Sequence, residues 1–168
     1  MVTIPFRHDR ISRERQDMID LARRYCQLID ASSDEDPSWL SEVADLLPRL
    51  HAAVVSLESL DLGQGVYLTP DLDARFELFS HLRELLGERD AYWLEFDQVG
   101  DAEPMTGSLA DDLTDIYCEL KHGLRLLEGD LRRALRGWRD GFEGHWGRHL
   151  VDAQRHLSAL AAQDRLLS

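Results

Sequence analysis

The chain has 168 residues, enough for one domain with a sizeable core but hardly for two. Its hydrophobic share of 43% and charged share of 30% are those of an ordinary globular protein. With 32 acidic against 19 basic residues the formal net charge is −13, which disfavours nucleic acid and anionic lipid as partners and favours a basic protein surface or a cation.

Cys26 and Cys118 are the two cysteines, and neither belongs to a CxxC or zinc-ribbon spacing. Scattered thiols of this kind fit a reducing compartment better than a disulfide scaffold. The opening stretch MVTIPFRHDRISRERQD turns polar by Arg7 and has no apolar signal core. No apolar run approaches the ~20 residues of a membrane helix. A cytoplasmic location is therefore expected.

In chain order, the punctuation is helical. A first helix is expected from Asp9 to Ala31, with Ile11, Met18, Ala22, Tyr25 and Ile29 on one face. SSDED breaks it, and Asp36-Pro37 reads as an N-cap followed by proline at the first helical position. The second helix carries Leu40, Val43, Leu47, Leu50, Val54 and Leu57 as a packing seam, with Pro48 expected to kink or split it. DLGQGVYLTP is a loop. Thr69-Pro70 opens a third helix through Leu72, Phe76, Phe79 and Leu86, which Gly87 closes.

Residues 90 to 107 form the least regular part, with Tyr92, Trp93 and Phe96 expected to tuck into the core. Ser108 with Asp111 resembles a capping box. A fourth helix follows to Glu128, burying Leu109, Leu113, Ile116, Leu120, Leu124 and Leu127. Gly129 ends it and Asp130 caps the next. The fifth helix is expected from Leu131 to about Ala162, kinked or loosened by Gly137, Gly141, Gly144 and Gly147. The fold class is all-α: a single-domain bundle of about five helices over residues 1–168, the last two forming an antiparallel hairpin.

Three blocks carry a family resemblance: DAYWLEFD, SLADDLTDIYCELKHGL and FEGHWGRHLVDA, lying between Asp90 and Leu157. In this order they resemble the bacterial family catalogued as domain of unknown function 5063. The resemblance implies a small helical bacterial protein and no particular activity.

Two polar stripes stand out. Steps of three and four keep side chains on one helical face. Asp112, Asp115, Glu119 and His122 follow that spacing in the fourth helix, as do His145, His149, Asp152 and His156 in the fifth. The histidines lie at the margin of an apolar band of Leu135, Trp146, Leu150, Ala153 and Leu157, with Gly144, Gly147, Arg148 and Arg155 towards the opposite side. In a hairpin turning at Gly129 and Asp130, levels match where residue numbers sum to about 260. Asp115 then lies level with His145, Asp112 with His149, and Asp152 with Ser108, where it would meet the start of the fourth helix.

Two readings follow. The leading one is structural: carboxylates and imidazoles satisfy one another at the edge of the core. The alternative is a mononuclear metal site built from His145, His149 and one or two of Asp112, Asp115 and Glu119, suited to zinc, iron, nickel or manganese. A di-iron site would need a second Glu-x-x-His pair beside Glu119 and His122. There is no GxSxG elbow, HExxH or phosphate-cradling loop. Arg132, Arg133, Arg136 and Arg139 read as a solvated face. The leading function is thus a non-catalytic cytoplasmic interaction or regulatory protein, without a cofactor, that binds a basic protein surface and neither nucleic acid nor membrane. The alternative is a metal-binding bundle, in one form a metal-dependent enzyme, holding a divalent transition metal.

Overall fold

The computed structural model describes residues 6–63, 72–94 and 105–167. Its helices are α1 (Phe6–Asp30), α2 (Trp39–Ser56), α3 (Leu72–Leu86), α4 (Leu109–Leu127), α5 (Leu131–Gly141) and α6 (Gly147–Ala162). A π-helical turn, Phe142–Trp146, joins α5 to α6, so the two make one helical run that returns antiparallel along α4. The architecture is the all-α bundle expected, and it carries one small sheet.

That sheet is a finding the sequence did not announce. Strands β1 (Ala91–Trp93) and β2 (Thr106–Ser108) pair antiparallel, with Tyr92 opposite Gly107. The Tyr92 ring lies across Gly107, where a Cβ would stand 2.3 Å from Cζ. Only glycine lets the ring pass over the neighbouring strand into the bundle. The strands are too short, and TGS too poor in β-formers, to leave a readable alternation.

Ser108 and Asp130 cap α4 and α5 where the sequence put them, whereas α2 begins at Trp39 with Ser38, not Asp36, as its N-cap residue. Asp36 accepts from the Ser38 N–H at 3.0 Å, Ser108 Oγ from the Asp111 N–H at 3.2 Å, and Asp130 from the Arg133 N–H at 3.0 Å. Asp90, not Asp152, serves the start of α4, accepting from the Ala110 N–H and the Ser108 hydroxyl, both at 2.8 Å. β1 begins one residue later and brings Asp90 there directly. Pro48 lies inside α2 without splitting it. Thr69, Pro70 and Phe96, and most of the 61–70 loop, fall outside the described residues.

The core lies where α1, α2, α4 and the α5–α6 run meet. It contains Met18, Tyr25, Leu40, Leu47, Leu50, Leu113, Ile116, Leu120, Trp138, Trp146, Leu150 and Leu157. Leu124 and Leu127 are half-buried against it. Gly123 admits the Trp138 indole, whose Nε1 would stand 1.9 Å from a Cβ there and instead donates to the Leu120 carbonyl at 3.3 Å. One expectation of burial fails. Trp93 is 65% exposed, because its neighbour Tyr92 takes the inward side of the strand. Leu72 and Phe76 are also exposed, since α3 buries Leu82 and Leu86 and anchors its first turns through charge.

Candidate metal centre

The acidic stripe of α4 turns inward. Asp112, Asp115 and Glu119 are all buried, within two helical turns of one another. Three buried carboxylates must find compensating charge. One partner comes from α3, where Arg75 reaches Asp115 Oδ1 through Nε at 2.6 Å and Asp111 through a second nitrogen. This pairing holds the Arg75 guanidinium firmly charged, the bond to Asp115 outweighing partial burial.

The other partners are the histidines. His149 Nδ1 lies 2.8 Å from Asp112 Oδ1, and His145 Nδ1 lies 3.0 Å from Glu119 Oε1. Asp112 also accepts from the Tyr92 hydroxyl. A carboxylate on Nδ1 fixes each ring's tautomer and leaves Nε2 as the basic nitrogen. Those nitrogens face one atom: Asp115 Oδ2 is 3.2 Å from His149 Nε2 and 3.9 Å from His145 Nε2. One ligand atom from each of Asp115, His145 and His149 falls within 4.8 Å of the other two. Ligands ~2.1 Å from a tetrahedral ion stand ~3.4 Å apart, so this set needs only a small contraction to close on one.

The sharpest detail is His149 Nε2. It is buried without a hydrogen-bond partner, although Asp115 Oδ2 is near, because the two are not aligned for one. Burial alone would push the His149 pKa down. The hydrogen bond that His149 donates to Asp112 and the charges of Asp115 and Asp112 outweigh it, so the His149 pKa is raised. Asp112 is pushed up by its own burial, against the lowering bonds from His149 and Tyr92.

The π-helical turn is part of this geometry. It spans Phe142 to Trp146, closing with Gly147 N–H donating to the Phe142 carbonyl, and it contains His145. The widened turn re-aims the face of the run so that His145 and His149 meet edge to face, ring centroids 5.2 Å apart, against α4. It also buries Gly147, which plain helical phase places outside.

The structure brings together all five residues of the two stripes singled out for metal: Asp112, Asp115, Glu119, His145 and His149. It gives them different places, with Asp115 and the two histidines facing inward and Asp112 and Glu119 behind the rings. His156 lies apart, its Nε2 donating to the Arg89 carbonyl at 2.7 Å and its ring stacked on Tyr92. Sequence reasoning missed Arg75 and Tyr92, which reach the stripe from elements 40 and 20 residues away.

Fold and site together define a helical bundle with a buried histidine–carboxylate cluster between its last helices. The chain belongs to the family described as Domain of unknown function (DUF5063), whose model matches residues 9–163, well beyond the three blocks that carry the resemblance. Its fold is similar to the crystal structure of protein BF1032 from Bacteroides fragilis, at 18% identity and a TM-score of 0.65, over 86% of this chain and 89% of that one. No curated protein matches the chain.

Proposed function

We propose that this protein binds one divalent transition metal, zinc or iron(II), through His145 Nε2, His149 Nε2 and Asp115 Oδ2. The observation that carries the reading is the buried His149 Nε2, which has no hydrogen bond yet stands 3.2 Å from Asp115 Oδ2, with its Nδ1 already held by Asp112. Carboxylate–histidine–metal relays have this order of atoms. Two imidazoles and one carboxylate leave coordination positions open, the pattern of catalytic rather than purely structural sites. Arg75 on Oδ1 turns Oδ2 towards the ion.

The ion would act as a Lewis acid on a bound oxygen; the protein's part is to orient the ligands and keep the site dry on its core side. The free thiols Cys26 and Cys118 fit a cytoplasmic setting, and among the described residues no helix is long and apolar enough to cross a membrane. Docking of a basic partner is the second reading, favoured by the acidic surface and by the exposed Leu72, Phe76, Trp93 and Met105.

Thermal unfolding of tag-free, chelator-stripped protein tests the metal reading. Zinc should raise the melting temperature as a function of its concentration, because only the native state presents the site. His149→Ala should abolish that rise. An equal rise in wild type and His149→Ala would overturn the assignment.

A further inference from the structure

A cleft of about 720 Å³ opens beside the cluster, with Asp112 and His149 in the wall it shares with the metal set. Its size is that of a small-molecule site. Phe79, Leu94 and Met105 make it apolar on one side. On the other, α6 contributes Arg148, Asp152 and Arg155, spaced four and three so that they share a face. Arg155 is committed, donating to the Trp93 carbonyl at 3.2 Å with its guanidinium over the Tyr92 ring.

Arg148 and Asp152 are different. Neither has a hydrogen bond or ion pair among the described residues, and they do not pair with each other, although they stand one turn apart. Asp152 is half-buried and lines the cleft, while Arg148 is exposed at its rim. The cleft thus offers one uncommitted cation, one uncommitted anion and an apolar wall, and it meets the cluster at His149 and Asp112. A simple carboxylic acid would leave the half-buried Asp152 without a partner, and a simple amine would gain nothing from Arg148, which is exposed.

We propose that the cleft binds a small zwitterion, an α-amino acid with an apolar side chain. Its carboxylate pairs with Arg148, its ammonium with Asp152, and its side chain packs on Phe79, Leu94 and Met105. The inference goes beyond the metal reading, since the cleft borders the cluster at Asp112 and His149 and its charged pair stands without the ion.

Equilibrium dialysis of radiolabelled leucine against the zinc-loaded full chain, with zinc measured in the same samples, tests it. Saturable retention of one leucine per chain is expected. Unlabelled methionine should compete, while N-acetylleucine, without the ammonium, and leucinamide, without the carboxylate, should not. Asp152→Asn and Arg148→Gln should each weaken retention about tenfold or more at unchanged zinc content. No leucine retention by the zinc-loaded chain, or equal retention by both variants, overturns the inference. If the chain takes up no zinc, the metal reading falls on that measurement, and leucine retention by the same sample still decides the cleft.

Discussion

Asp112→Asn isolates the role of a residue that stands behind the ion rather than on it. The Asp112 carboxylate is 4% exposed and serves two donors, His149 Nδ1–H at 2.8 Å and the Tyr92 hydroxyl. Asparagine keeps the shape but has one acceptor oxygen, so one of these donors faces an NH₂ group instead. Losing a buried hydrogen bond to a charged group costs about 1.5–3 kcal/mol, the expected destabilisation of the metal-free protein. The substitution also frees His149 to adopt the other tautomer, with its proton on Nε2 facing Asp115. Losing such a partner typically lowers metal affinity 10- to 100-fold, about 1.4–2.7 kcal/mol. Guanidinium unfolding reads the first quantity, and competition for zinc against a chromogenic chelator reads the second. Zinc affinity within twofold of wild type, in a variant destabilised as expected, would refute the tautomer argument.

Two further perturbations test the surrounding structure. His149 is held above its usual 6.5, so its stabilising contribution is complete below that pH and lost as pH rises through the folded value. Asp112, raised above 3.8 by burial, binds its proton more readily when folded and likewise takes stability away as pH rises past that value. Metal-free protein should therefore lose stability as pH rises from 3.8 through the folded pKa of Asp112, and again from 6.5 through the folded pKa of His149. The zinc-dependent rise in melting temperature should grow over the second of these ranges, since binding needs neutral imidazoles. A zinc effect larger at pH 6 than at pH 8 would contradict this. Leu120→Ala empties a fully buried position beneath Trp138 and should cost about 2–5 kcal/mol by chemical denaturation, with little change in zinc affinity measured per folded molecule. A cost below about 1 kcal/mol would mean that this part of the core is not packed as described.

The stripes were legible because helical spacing alone puts Asp112, Asp115 and Glu119 on one face and His145 and His149 on another. The short turn at Gly129 and Asp130 then sets the level at which they meet. Which nitrogen faces which oxygen was not legible, because the π-helical turn at Phe142–Trp146 re-aims His145 and no residue type demands such a turn. Arg75 left no local signal, as its value comes from where α3 docks. Trp93 reads as a core aromatic by type, and its exposure follows from a strand pairing too short to see. Leu72 and Phe76 stand exposed while Arg75 between them turns to Asp111 and Asp115 of α4. The helices were thus readable through local periodicity and caps, and the centre only as far as those faces reached.

Metal content of the full chain, produced without a histidine tag and washed with chelator before elemental analysis, tests the central claim most directly. One zinc or iron per chain is predicted in wild type, falling by at least about tenfold in chelator-competed affinity when His149 or Asp115 is replaced by alanine. Anomalous diffraction should place that ion about 2.0–2.2 Å from His145 Nε2, His149 Nε2 and Asp115 Oδ2. A chain that retains no metal, takes up none when zinc is added, and melts at the same temperature with and without it would contradict the account.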